Sequence, residues 1–552
     1  MRRQQAARGS RKGDEGVALV AVIGTMLVLA TFLLTMVGYT VAGVPAARRD
    51  QDAKTAVAAA EAGLEEYLAR LNADTNYWKN GNVDLANPAL QNPSQPVLPG
   101  RVIPGTGTAG ARFRYSLLTT PAQIARSGVI RLKVTGSTPS STGGTPVERT
   151  LTASLTPKGF LSFIYLSDVE VTDPDLIGGN AICKNYYYPY GGQPARGSGN
   201  GCAEIQWTGG DTVRGPLHSN DALQINGSVN FTDPRSESSW PALNVATPPA
   251  QTWWTTTSQG PPLAGFSPKY AAPLSLPAGN SELLQQVEPD VDGDGAIGAG
   301  CYYTGATRIV FQGTTMRVYS PSTTRAGTPS RCLDVANRGI EQTKAIPPVI
   351  YVDGTTTSCT LGAVGYPRSG EQYTIGSSTA PSWASFSGTA TTNYDCSRGS
   401  VYVQGTVSGQ VTIAARDDVV VTDDLTLTGG TMGTDVVGLV AGNYVWVYHP
   451  VSSSGANLTS APVVSDVQAA VLSLRHSFVV QNWSKGTPLG TLNVTGSIAQ
   501  KFRGPVGTGS SSSIASGYYK NYVYDSRLSV MQPPYFLKPD SSPWQVSALT
   551  DK

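Results

Sequence analysis

The chain has 552 residues, enough for two or three domains at roughly 100 to 200 residues each, so its cores need no metal or oligomer to reach a workable size. Net charge is +2, only 14% of residues are charged, and no basic block follows the N-terminal tail, which argues against a nucleic-acid partner. Abundant glycine and proline, with Ser, Thr and Val between them, read as many short strands separated by turns.

Arg2, Arg3, Arg8, Arg11 and Lys12 form that tail, and Asp14 and Glu15 follow. Then comes VALVAVIGTMLVLATFLLTMVGYTVAGVPAA, without a charged residue. About 20 apolar residues cross a bilayer as a helix. The run is longer than the apolar core of a cleavable signal and continues directly into ARRDQDAKTAVAAAEAGLEEYLARL, which predicts a retained membrane helix. The positive-inside bias puts residues 1–15 in the cytoplasm and the body beyond about residue 48 outside, as a single-pass membrane protein at the cell surface.

The helical period persists past the membrane, with Val57, Ala60, Leu64, Tyr67, Leu68 and Leu71 on or near one face. Pro45 is placed to kink the helix where it leaves lipid. After an Asn- and Pro-rich loop, the segments 111–118, 128–136 and 146–156 alternate as strands of an antiparallel meander. Such a sheet buries the outer half of the helix while its first half stays in lipid.

The leader ending in Gly16, the uncharged run from Val17 and the segment AAEAGLEEYL (59–68) together resemble the type IV pilin superfamily, most of all PilX-type minor pilins. The resemblance implies a basic leader at 1–16 cut after Gly16 by a prepilin peptidase, leaving Val17 as the new N-terminus. It also implies a transmembrane and assembly helix over 17–78, a small sheet over 79–156, and other pilins as partners through the helix. Most pilins carry Glu at the fifth mature position, where it pairs with the N-terminal amine of a neighbour. Here that position is Ala21, which fits a subunit at a filament end better than one repeated along it.

From 157 to 510 the pattern changes. Short alternating runs such as Ile225 to Val229, Val403 to Val407 and Val494 to Ile498 recur between Gly, Asn and Asp, as in stacked rungs of a β-solenoid, with insertions at 232–300 and 353–398. A β-sandwich is the alternative, since it uses similar strands. Residues 511–552 read as an extended C-terminal segment laid across the flank or end of that domain, covering an edge. The expected fold is therefore α+β and pilin-like at the N-terminus, then mainly β. All six cysteines lie in the external part, where disulfides persist. Each consecutive pair brackets a loop-like stretch, which favours Cys183 with Cys202, Cys301 with Cys332, and Cys359 with Cys396.

The sharpest ligand motif is PDVDGDGAIGAGC. Asp290, Asp292 and Asp294 at alternate positions, with the Ala296 carbonyl next, form a partial calcium loop, because three carboxylates one residue apart converge on a hard cation. The twelfth position is Cys301 and not the usual Glu, so this is no EF-hand; a solvated turn is the alternative. Two acidic pairs, Asp417 with Asp418 and Asp423 with Asp424, are the only candidates for acid and base work, and both read as turn caps. His218 and His449 lack any nucleophile motif. Tyr186 to Tyr190 and Trp253 with Trp254 are either contacts for a surface glycan or protein, or small cores under loops. The expectation is a minor pilin or pseudopilin displaying a β domain for filament assembly or adhesion, not an enzyme; the alternative is a membrane-anchored, polysaccharide-active β-helix enzyme.

Overall fold

The computed structural model describes residues 15–83, 86–92, 94–107, 110–188, 192–197, 200–208, 212–226, 229–239, 253–254, 268–291, 298–373, 385–386, 389–390, 394–509, 513–539 and 542–551. One long helix, Glu15–Ala73, is followed by a small antiparallel sheet and then by a large, mainly β region. The helix stops short of residue 78, and Tyr77–Asn80 forms a separate 3-10 turn.

Sequence sets the seat of the helix on the sheet. Ala56, Ala59, Ala60, Leu64, Tyr67 and Leu71 recur at spacings of three and four and are buried, while Val57 and Leu68 are half-buried beside them. They pack on Phe113, Tyr115, Leu132, Val134, Ala153 and Leu155, the inward residues of alternating strands. Two glycines set the distance. A Cβ on Gly136 would stand 2.0 Å from the Ala56 carbonyl oxygen, and one on Gly63 would stand 2.8 Å from Val134 Cγ1.

Strands Arg112–Leu117, Ile130–Thr138 and Val147–Pro157 occupy the three segments expected from alternation, with Arg101–Val102 added at one edge. The other edge was not expected. Strand Trp544–Asp551, from the far end of the chain, pairs antiparallel with Val147–Pro157. Residues 511–552 are therefore not one segment laid over the body: Ile514–Tyr524 is a strand of the body, and the tail returns to the first sheet. The Lys158 N–H donates to the Pro543 carbonyl at 2.8 Å, so the chain leaves and re-enters the small sheet side by side. The body is an insertion between two neighbouring strands.

Within the body the strands pair mainly in parallel. One ladder runs Thr307–Gly313, Val401–Val407, Val419–Leu427, Val445–Val447, Phe478–Val480. A second runs Cys301–Thr304, Val349–Asp353, Gln410–Ala415, Val436–Ala441, Asp466–Ser473, Pro488–Phe502, and then Tyr165–Val169, Leu217–Ser219, Glu237–Ser238, Lys269–Tyr270. Spatial order thus breaks sequence order, because the first strand of the body stacks on one of its last. Towards the opposite end, residues 271–291 run back along the ladder. Asn220 bonds both backbone groups of Leu274 at 2.8 Å, and farther along Asn280 Nδ2 donates to the Ala415 carbonyl at 2.7 Å and Tyr351 donates to Asn280 at 3.0 Å. Leu274, Leu283 and Val287 share one apolar layer with Leu528, Phe536 and Leu537 over the ladder residues Tyr351, Ala414 and Val440. The cysteines form the three expected bridges, Cys183–Cys202, Cys301–Cys332 and Cys359–Cys396.

Gly136→Val is expected to destabilise the protein by about 3 kcal/mol or more, since backbone on the facing helix cannot yield to a side chain. Gly339→Ala, whose Cβ meets nothing within 4 Å, is the neutral control, and thermal unfolding of the two in detergent checks the contrast. A second expectation concerns Lys538, whose ammonium lies 5.7 Å from the Trp544 ring centre. Burial, only partly offset by Glu282, pushes it down to about 8 from 10.5. The unfolded chain therefore binds this proton more tightly, and stability from this group rises with pH through the window from about 8 to 10.5. Lys538→Met is expected to be up to about 3 kcal/mol more stable than the parent at pH 7, with the difference shrinking towards pH 10. A pH-independent difference contradicts this account.

Candidate functional site: the N-terminal helix and the polar corner of the body

The helix divides into two environments. Leu19 to Tyr39 is open along its described length, from Val22 at 49% to Tyr39 at 85% exposure, and it is long and apolar enough to cross a membrane. Its hydroxyls are satisfied locally: Thr25, Thr31 and Thr35 each donate to a carbonyl four residues back. The second half is fastened by polar contacts as well as by packing. Asp52 accepts from the Ser141 N–H and hydroxyl, both at 2.8 Å. Glu66 accepts from Arg70, from Arg101 at 3.0 Å, and from the Tyr115 hydroxyl. Asn72 bonds both backbone groups of Trp544, at 2.6 and 3.3 Å, tying the helix to the returning strand. Gly16 and Val17 lie in the first turns of the helix.

The calcium motif is only partly placed. Asp292, Asp294 and Ala296 lie outside the described residues, and the Asp290 carbonyl accepts from Arg325 at 2.6 Å. Of the acidic pairs, Asp417 with Asp418 sits at the bend before strand Val419–Leu427, whereas Asp423 with Asp424 lies within that strand and not at a turn. Asp417 accepts from Arg398 at 2.9 Å and from the Gly399 N–H at 2.9 Å. Asp424 accepts from the N–H groups of Ser465 and Asp466, at 2.6 and 2.9 Å. Asp418 differs, because it is fully buried and desolvation pushes its carboxyl up to about 6. His218 is buried between Glu237 and Asn220, both at 2.8 Å. Burial by itself raises the Glu237 carboxyl, but His218 and Lys158 outweigh it and hold the group below the usual range. Burial pushes the His449 imidazole down. Of the tyrosine run, Tyr186 donates to Asp168 at 2.6 Å and is half-buried, so it belongs to the packing under the disulfide loop; Tyr190 lies outside the described residues. Trp253–Trp254 pairs in parallel with Leu223–Asn226.

Sequence reasoning missed the polar corner where the ladder meets the Cys183–Cys202 loop. Charged residues spread over distant stretches converge there. Arg196, fully buried, donates to Asp221 at 2.7 Å and to Glu204 at 2.7 and 3.2 Å. Arg503 pairs with Glu170 at 3.0 Å and lies 4.0 Å from the Trp207 ring centre. Lys501 pairs with Asp168. The small hollow beside them, lined by Tyr165, Trp207, Gln500, Arg503 and Tyr522, has room for about one water molecule. The signal for these residues was weak, since lone acids and bases in Gly-rich stretches read as solvated turns.

No family model and no curated protein matches the chain. Among solved structures, the crystal structure of competence-associated pilin ComZ from Thermus thermophilus aligns with 91% of this chain and 97% of that one, at 13% identity and a TM-score of 0.31. A superposition that loose carries no argument about fold or activity.

Arg196→Met is expected to cost about 3 to 5 kcal/mol, because it strands Asp221 and Glu204 beside a buried apolar chain. Arg235→Met, which removes a largely exposed arginine, is the control expected within about 1 kcal/mol of the parent. Thermal unfolding of both variants checks the difference.

Proposed function

We propose that the chain is a type IV pilin-like subunit of the PilX-type class. In this reading the exposed half of the helix holds it in the membrane and later packs among other pilin helices, while the inserted β body is displayed outside. The observation that carries the reading is the division of one continuous helix into an open apolar half and an alanine-rich half seated on an antiparallel sheet. A helix used only as an anchor has no need of the second half. The open half cannot face water, since it is uniformly apolar over the span a bilayer requires.

Two features favour a filament end. Ala21 lacks the carboxylate that would pair with a neighbouring amine, and the body inserted between Pro157 and Trp544 adds bulk to the sheet at every copy. The parallel ladders support a β-solenoid over a β-sandwich, whose sheets are mostly antiparallel. Display and assembly, with contact to a surface glycan or protein, are then the work of the body, not catalysis. Calcium at 290–296 belongs to the same reading, as a brace for the stretch before Cys301.

Mass spectrometry of the exported protein tests the processing step. The expected N-terminus is Val17, produced by a prepilin peptidase acting after Gly16. An exported chain that retains residues 1–16 would overturn the pilin reading and leave a plain membrane-anchored surface protein.

A further inference from the structure

The segment that leads into the disulfide loop brings two carboxylates against an imidazole that comes from the far part of the chain. Asp173 caps the short helix Pro174–Ile177, its Oδ1 accepting from the Asp175 N–H at 2.9 Å. Its Oδ2 accepts from the Tyr444 hydroxyl and lies 2.6 Å from His476 Nδ1. Ligand atoms of Asp173, Asp175 and His476 all lie within 4.8 Å of one another. Asp173 and His476 are buried, whereas the Asp175 side chain is 36% exposed and opens the cluster to solvent.

We propose that Asp173, Asp175 and His476 form a binding site for a divalent transition-metal ion of the zinc class, which fastens the Cys183–Cys202 loop to the ladder behind it. The donor set is the first reason. One imidazole and two carboxylates suit zinc and its neighbours, whereas calcium takes oxygen ligands only. The outer shell is the second. The Tyr444 hydroxyl donates to Asp173, and its ring stacks on His476 at 4.3 Å and 6°, so both buried ligands are held in orientation before any ion arrives.

Charge is the third reason, and it is independent of the cluster's own hydrogen bonds. Asp418 is fully buried beside it, with Oδ1 accepting from the Tyr444 N–H at 3.1 Å and Oδ2 without a partner among the described residues. Arg398, buried and paired with Asp417, partly compensates this charge, and a cation at the cluster adds to that compensation. Two groups must give way. Lys184 leaves Asp175, a pair that is 44% and 36% exposed and so contributes little. The contact between His476 Nδ1 and Asp173 Oδ2 opens to admit the ion, which then takes both atoms as ligands.

Titration of the metal-stripped full chain in detergent with zinc chloride tests this, read by calorimetry and by thermal unfolding. The expected result is one ion per chain and a raised unfolding midpoint. Asp175→Asn, a surface change that leaves the fold intact by circular dichroism, is expected to weaken zinc about tenfold or more. His476→Gln is expected to abolish binding, and calcium chloride to leave zinc binding unchanged. Absence of zinc binding by the parent overturns the proposal, and so does equal affinity in the parent and Asp175→Asn, which places the ion elsewhere.

Discussion

Everything beyond the exposed half of the helix depends on how closely the helix backbone approaches the small sheet. Ala56, Ala59, Ala60 and Gly63 strip one helix face almost to its backbone, and Gly136 removes the last obstacle on the facing strand. Larger residues at these positions would lift the helix and leave Leu64, Tyr67 and Leu71 short of Leu132, Val134 and Leu155, losing dispersion contacts that act only at short range. The sheet that makes this seat is itself completed by residues from the far end of the chain. Trp544 belongs to the same buried cluster as Tyr67 and Leu71, and Asn72 bonds its backbone. The seat therefore forms fully only after the whole body has been made.

That dependence makes the molecule cooperative across its length. The body leaves the sheet after Pro157 and rejoins it at Trp544, two adjacent strands, so it is held at its base by both chain crossings and not by a single flexible tether. Inside the body the same device recurs, since Tyr165–Val169 lies between Pro488–Phe502 and Leu217–Ser219. Early and late strands share one parallel ladder, and residues 271–291 run along it. Such long-range parallel pairing closes large loops before contacts compensate, which slows folding. The three disulfides act in the opposite sense, each closing a loop between neighbouring cysteines and so restricting the unfolded chain.

Local features were legible in the residues and long-range partnership was not. Alanines and leucines at helical spacing showed the buried face, alternation showed the strands at 112–117, 130–138 and 147–157, and loop-like stretches between neighbouring cysteines pointed to consecutive bridges. WQVSALTD alternates as well as any of these, but nothing local says that its neighbour is Val147–Pro157, almost four hundred residues earlier. The polar corner was hidden for the same reason. Asp168, Glu170, Asp221, Arg196 and Arg503 are each unremarkable in sequence, and only ladder register brings acid to base. A buried charge is tolerated when its partner is present, and sequence shows a charge without showing the partner.

The open half of the helix obeys a different physics from the seated half. In lipid, burying apolar side chains against another helix gains little, because acyl tails are as apolar as leucine, so association must come from close packing. Gly24, Gly38 and Gly43 offer such sites, each with nothing within 4 Å of where a Cβ would stand, and Ala21 and Ala30 add further low ground on the same run. Neighbouring helices can approach there as the sheet approaches Gly63. On the pilin-like reading proposed above, the absence of an acid at position 21 leaves this packing without a charge-matching register along the helix axis. On that same reading the register falls to the body, whose two chain crossings join it to the sheet on which the second half of the helix is seated.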